Sequence, residues 1–391
     1  MGNNFICPRC GNQDPKYVGY LNGNPYCRFC ITMKGKEADK NHYAHGAVVL
    51  KLGYSLSKDQ EKLSKQIVAN YKNKIDTLVN AVCGAGKTEL IYAVMAYCLS
   101  LGKSVAFAVP RRDVVIELSQ RIHMVFPNNS IVSVYGGHTE KLNADIVVLT
   151  THQLYRYEKY FDLIILDEID AFPFKDNKLL RSMFFRAIKG NIVMMSATPS
   201  KDVIEFFSKK NKVILELNTR FHKHPLPVPK VVNRIGVFKL PYLLMKMKEY
   251  INQNKKVFVF APTIAKCEFL FRIIKIFVKN GTFVHSKCND RSKKINSFKK
   301  GELDYLVTTA VLERGVTFKD LQVIIYDADN ELYNSQTLIQ IAGRVGRKID
   351  APEGEVIFLV NKTTSEINEA ISTIKSKNRH LQNMFQSNRT K

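Results

Sequence analysis

The stretch Ala81-Val82-Cys83-Gly84-Ala85-Gly86-Lys87-Thr88 constrains this chain more tightly than any other segment. An apolar run that reads as a strand, Thr77 to Val79, precedes it, and a helical stretch, ELIYAVMAYCLS, follows. Strand, glycine turn and helix in that order are what a phosphate-binding loop requires. The backbone N–H groups of such a turn wrap phosphate oxygens, and the helix aims the positive end of its dipole at them. On this reading Gly84, Ala85 and Gly86 lie against the phosphates, where a Cβ at either glycine would clash. Lys87 reaches the β- and γ-phosphates, and Thr88 offers its hydroxyl to Mg²⁺. Ala81 stands in place of the first glycine of the general pattern, so the string fits AxxGxGKT better than GxxxxGK[ST]. The plain alternative is a glycine turn with no ligand, and the strand ahead and helix behind argue against it. A nucleoside triphosphate site is expected.

The chain has 391 residues, too many for one compact core and suited to two α/β domains with an appendage. Its net charge of +24 predicts a polyanionic partner, and nucleic acid is the usual one; a generally basic proteome is the competing explanation. No apolar run approaches the roughly 20 residues of a membrane span. MGNNFICPRC lacks a secretory pattern, and Ile6 stands where a myristoylation signal needs Ser or Thr, so a cytoplasmic protein is expected. Four of the eight cysteines form two CxxC pairs, Cys7/Cys10 and Cys27/Cys30. Two such knuckles supply a tetrahedral thiolate site, so Zn²⁺ is expected there; a redox pair or chance spacing is the alternative. Cys83, Cys98, Cys267 and Cys288 read as ordinary thiols, and His42 and His45 as solvated loop residues.

Residues 1–50 read as this zinc module and a polar connector, an appendage separate from the rest of the chain. A helix is predicted to start at Ser57, with Asp59 and Glu61 suiting its dipole. Continuous apolar runs then alternate with helical stretches: SVAFAVP, IVSVYGG, DIVVLTT, FDLIILDE and NIVMMSAT. Runs of that kind mark strands buried on both faces of a parallel sheet. The texture changes over residues 218–236, whose prolines suggest a linker. A second series comes after it, KVFVFAPT, GTFVHS, DYLVTTAV, QVIIYD and EVIFLV, and the tail after Asn361 is polar and helical in pattern. The expected fold is α/β, with two doubly wound parallel-sheet domains at 51–217 and 237–391.

Asp167-Glu168-Ile169-Asp170 ends the apolar run FDLIIL, where open α/β sheets place their sites. Asp167 is expected to hold Mg²⁺ through water, and Glu168 to orient or deprotonate the attacking water. Ser196-Ala197-Thr198-Pro199 follows the next strand and can link those carboxylates to a nucleic-acid face. In Gln340-Ile341-Ala342-Gly343-Arg344-Val345-Gly346-Arg347, two arginines three apart are expected on one helix face, able to neutralise a transferring γ-phosphoryl group. A basic solvated helix end is the alternative.

AVCGAGKT, DEID, SAT and QIAGRVGR in that order resemble the superfamily 2 helicases and translocases, over residues 55 to about 360. The resemblance implies two RecA-like domains with ATP bound between them and a nucleic-acid strand across them. Gln60 resembles that family's adenine-reading glutamine. Pro110, Arg111, Arg112, Gly136, Gly137, Thr150 and Thr151 stand where the family contacts strand phosphates. Thr309 to Thr317, with Arg314 and Gly315, resembles its motif between cleft and nucleic acid. Gln340 and Ile341 replace the His-Arg of DEAD-box RNA helicases, and Thr317 replaces their ribose-contacting Asp, which points away from that branch. A four-cysteine module ahead of a DEID core is similar to the ComFA family, late-competence DNA-uptake ATPases of Gram-positive bacteria. That similarity implies a DNA-stimulated ATPase that drives single-stranded transforming DNA into the cytoplasm, with other competence proteins as partners at the inner face of the membrane. Two alternatives stand beside it: a primosomal-type helicase that unwinds duplexes, and a zinc DNA-binding protein whose nucleotide site regulates without turnover.

Overall fold

The computed structural model describes residues 5–39, 48–82, 84–169, 177–222, 224–310, 318–348 and 350–387, with side chains through residue 379. His42, His45, Cys83, Asp170, Arg314, Gly315 and Thr317 lie outside the described residues. The chain divides into two compact units, one of Met1–Ala81 with Gly86–Leu217 and the other of Val82–Ala85 with Asn218–Lys391.

The first unit opens with a hairpin of β1 (Val18–Leu21) and β2 (Asn24–Cys27). Asn22 and Gly23 turn it, both at positive φ, as a tight hairpin requires. Helix α1 (Lys58–Lys72) starts at the predicted Ser57 with a reciprocal cap. Ser57 Oγ accepts the Gln60 N–H at 3.3 Å, and the Ser57 N–H donates to Gln60 Oε1 at 2.9 Å. Then come β3 (Asp76–Ala81), α2 (Lys87–Leu90), α3 (Tyr92–Ser100), β4 (Val105–Val109) and α4 (Arg112–Val125). They are followed by β5 (Ile131–Val134), β6 (Ile146–Thr150), β7 (Phe161–Asp167), α5 (Lys178–Ala187), β8 (Ile188–Ser196), α6 (Lys201–Phe207) and β9 (Lys212–Leu217). The seven strands from β3 to β9 form one parallel sheet in the order β5-β6-β4-β7-β8-β3-β9. Every residue of the inner strand β4 is buried, which is why its run carries no polar alternation.

The second unit contains β10 (Lys230–Asn233), α7 (Lys239–Asn252), β11 (Lys256–Phe260), α8 (Ile264–Phe277), β12 (Gly281–Val284) and α9 (Arg291–Lys299). It continues with β13 (Tyr305–Thr308), β14 (Leu321–Tyr326), α10 (Ser335–Ala342), β15 (Val356–Val360) and α11 (Ser365–Ser387). Its six strands are parallel in the order β10-β15-β14-β11-β13-β12. Both sheets are the doubly wound, RecA-like arrangement that the two apolar series predict.

Two expectations change. The stretch 218–236 is not a bare linker, because Lys230–Asn233 pair with β15 as an edge strand. The cysteine module is not a separate appendage either. Its four cysteines are buried in one hydrophobic cluster with Leu154, Tyr155, Tyr157 and Phe184 of the first unit. The connector is tied down as well: Tyr155 donates to the Lys34 carbonyl at 2.6 Å, Arg156 Nη1 to that of Lys36 at 2.6 Å, and the Ala38 N–H to that of Arg156 at 2.9 Å. A module this small cannot bury enough of its own apolar surface, so it shares the core of its neighbour.

Candidate functional site: a phosphate loop and an acidic pair on one sheet edge

Parallel strands carry their C-terminal ends to one edge, and the register shows which residues meet there. Residue Asn80 of β3 lies beside Ser196 of β8, and Met195 of β8 lies beside Asp167 of β7. The phosphate-loop segment, the Ser196-Ala197-Thr198 turn and the acidic pair therefore leave the sheet side by side. At about 4.8 Å between strands, roughly 10 Å separates β3 from β7. That is a span for a triphosphate and its metal, and residues far apart in the chain share it.

In the loop, Gly84 and Gly86 take φ of +84° and +77°, a region that glycine enters freely. A Cβ on Gly86 would overlap Gln60 Nε2. Lys87 and Thr88 open α2 and are half-buried, with Lys87 Nζ 3.4 Å from the Ala81 carbonyl. Gln60 is buried, its oxygen taken by the Ser57 N–H and its Nε2 directed at Gly86, so it meets the loop and not open solvent. Asp167 and Glu168 are half-buried, and the Glu168 N–H donates to Asp167 Oδ1 at 2.8 Å. Glu168 sits at φ +57°, a left-handed conformation that costs a non-glycine residue about 1–3 kcal/mol. Thr198 N–H donates to Ser196 Oγ at 2.9 Å, closing the turn after β8.

The other half of the same edge carries the expected nucleic-acid residues. Val109 of β4 lies beside Thr150 of β6, so Pro110, Arg111 and Arg112 leave the sheet next to Thr150 and Thr151. Arg111 is half-buried at the start of α4, while Arg112 is exposed and stacks over Tyr135 at 4.8 Å. Gly137, at φ +81°, has open space where a Cβ would stand, as close backbone approach requires. Pro110 and Thr150 are buried and Thr151 is fully buried, its hydroxyl without a hydrogen-bond partner among the described residues. Thr150 ends β6 and Thr151 opens the turn Thr151–Arg156. In the second unit Thr309 follows β13 and is buried, with its carbonyl accepting from the Thr308 hydroxyl at 3.1 Å.

Arg344 and Arg347 do not share a helix face. Helix α10 ends at Ala342 with Gly343 as its cap, and both arginines belong to the turn beyond it. Gly346 takes φ +66°, and a Cβ there would overlap the Pro352 carbonyl oxygen. Arg344 is buried, while Arg347 is half-buried and donates from Nε to the Gly343 carbonyl at 2.8 Å. Sequence reasoning missed two side chains here, Arg220 and His222, which donate to the same turn from the proline-rich stretch.

The four cysteine sulfurs lie within 4.8 Å of one another, with Cys7 to Cys30 at 3.7 Å and Cys10 to Cys27 at 3.6 Å. Zn–S bonds of about 2.3 Å put sulfurs at tetrahedron corners about 3.8 Å apart, so the set fits that ion. Burial pushes the Cys30 thiol up to about 11 and the Cys10 thiol higher still. At Cys7 burial is outweighed by the backbone N–H groups of Cys10 and Arg9, and the value falls.

A phosphate loop and an acidic pair on one edge of a RecA-like sheet, followed by a second such sheet, define an ATP-hydrolysing enzyme of helicase superfamily 2. Residues 53–201 match the family described as type III restriction enzyme, res subunit, and residues 240–348 match the helicase conserved C-terminal domain. The chain is 35% identical to Competence protein ComFA of Streptococcus pneumoniae, over 96% of its own length and 90% of that protein. It is 31% identical to Competence protein ComFA of Bacillus subtilis, over 96% of its length and 86% of that protein. The chain belongs to the ComFA family. ATP-dependent DNA helicase RecG of S. pneumoniae is more distant, at 25% identity over 77% of this chain and 48% of that protein. The structure of Saccharomyces cerevisiae Dbp5 bound to RNA and ADP BeF3 shares the fold, with a TM-score of 0.62 at 16% identity, covering 83% of this chain and 92% of that one. Among the described residues no helix is long and apolar enough to cross a membrane.

Proposed function

We propose that this protein is an ATP-driven translocase on single-stranded DNA, acting in competence to draw incoming DNA into the cell. The observation that carries the reading is the register of β3, β8 and β7, which gathers phosphate loop and acidic pair on one edge while β4 and β6 bring Arg111 and Arg112 to its far half. Gly84, Ala85, Gly86 and Lys87 hold the triphosphate, with Gln60 supporting the loop from α1. Thr88 and, through water, Asp167 would hold Mg²⁺, which would supply charge neutralisation for the phosphates. Glu168 orients the attacking water and takes its proton, and Arg344 and Arg347 neutralise the charge that develops on the γ-phosphoryl oxygens. Residues 51–217 and 237–391 act as the two motor domains. The DNA lies along Arg111, Arg112 and Gly137, and Pro110, Thr150, Thr151 and Thr309 shape the backbone beneath it. Cys7, Cys10, Cys27 and Cys30 hold a structural Zn²⁺. Other competence proteins at the inner membrane face are the expected partners.

Steady-state phosphate release measured with single-stranded DNA, duplex DNA and RNA tests the reading. Stimulation by single-stranded DNA well above that by duplex or RNA is expected. Equal stimulation by duplex would favour the primosomal-type helicase, and no turnover with any polymer would favour a regulatory nucleotide site.

A further inference from the structure

The turn that carries Arg344 and Arg347 is gripped by a side chain from far outside its own motif. Arg220 stands three residues beyond Leu217, the end of β9, and is only 2% exposed. It donates from Nη1 to the Gly346 carbonyl at 2.7 Å and from Nη2 to the Gly343 carbonyl at 3.4 Å. Those two carbonyls flank Arg344, and the Gly343 oxygen also receives Arg347 Nε at 2.8 Å. Arg220 and Arg347 thus share one acceptor. His222 adds a second hold from the same segment: its Nδ1 accepts the His224 N–H at 3.1 Å, which leaves the proton on Nε2 to donate to the Gly346 oxygen at 2.9 Å. Carbonyls at the end of a helix have no partner within it, so the orientation of this turn depends on donors of this kind. A planar guanidinium serves two acceptors in a fixed geometry, whereas the single point charge of lysine cannot.

We propose that Arg220, supported by His222, is a positioning residue that sets the turn 343–347 and so the presentation of Arg344 and Arg347. Three residues of chain separate Arg220 from Leu217, the end of β9, which pairs along its whole length with β3. The proposal rests on the phosphoryl-transfer role given to Arg344 and Arg347.

The test compares Arg220→Met, Arg220→Lys, Arg344→Ala, Arg347→Ala and the double variant Arg220→Met/Arg347→Ala. For each, kcat and KM for ATP are measured with saturating single-stranded DNA, and affinity for a fluorescent ATP analogue is measured separately. Arg220→Met is expected to lower kcat at least about tenfold with nucleotide affinity within about twofold, and to add little to the loss in Arg347→Ala. Arg220→Lys keeps the buried charge without the fork, so it should lose kcat as well; it is the variant that decides if Arg220→Met does not fold. Wild-type kcat in a folded Arg220 variant, equal losses of kcat and affinity, or losses additive with Arg347→Ala would each overturn the proposal. Wild-type kcat in both Arg344→Ala and Arg347→Ala would instead overturn the reading on which it rests.

Discussion

Glu168 holds a left-handed backbone conformation immediately after the strand that delivers Asp167, and its neighbour's carboxylate accepts its N–H. The strain fixes where the carboxylate leaves the chain, so a change of side-chain chemistry alone should be readable as chemistry. Glu168→Gln keeps size and hydrogen bonding but loses the base; turnover should fall about 10²–10⁴-fold while ATP still binds, checked by phosphate release and by equilibrium binding. Gly346→Ala tests backbone need. With φ at +66° and the Pro352 oxygen in the way, it should lower the unfolding midpoint and kcat together, and a variant with both intact would refute the assigned turn geometry. His222 gives a pH signature. Burial first, and then the neighbouring Arg220 charge, hold its pKa below the ordinary 6.5, although the Gly346 carbonyl pulls the other way. The unfolded chain therefore binds the proton more readily, so stability is complete above pH about 6.5 and declines as pH falls below it. His222→Gln retains an N–H donor and should flatten that decline, measured as unfolding midpoints on either side of pH about 6.5.

At the scale of elements, the cysteine module is part of the first unit's core. The hairpin of β1 and β2 and the connector after it close on the turn Thr151–Arg156 through Tyr155 and Arg156. Changing Cys7 and Cys10 to Ser should abolish zinc, measured by metal analysis, and should also lower the unfolding temperature of the first unit in calorimetry. An unchanged transition in the zinc-free variant would return the module to the status of an appendage. The legibility of the sequence obeys the same physics. The strands β4, β6 and β7 announce themselves because nearly all of their residues are buried, on both faces. β9 and β10 do not, because each borders its sheet, is half-exposed and mixes lysine with valine. The arginine spacing suggested a helix face, yet Gly343 and Gly346 end the helix before either arginine. The burial of Thr150 and Thr151 was not legible either, because it follows from their place at the end of β6 and the start of the next turn and not from their residue type. Arg220 and His222 were hidden because a basic residue among prolines looks like a connector until its distant acceptor in the turn 343–347 is seen.

At the scale of the molecule, the proposed DNA motor would draw on the net charge of +24 to hold phosphates without reading sequence. Binding to single strands should weaken with added salt, log affinity falling by about 0.7 per phosphate contacted for each unit of log salt. Changing Arg112 to Ala should flatten that slope by roughly one contact, measured by fluorescence anisotropy on unrelated sequences. Motion along the strand is the central claim, and displacement of streptavidin from single-stranded oligonucleotides biotinylated at one end or the other measures it most directly. The account predicts ATP-dependent displacement, faster from one end than the other, lost in Glu168→Gln. Vigorous DNA-stimulated hydrolysis without displacement from either end would contradict it.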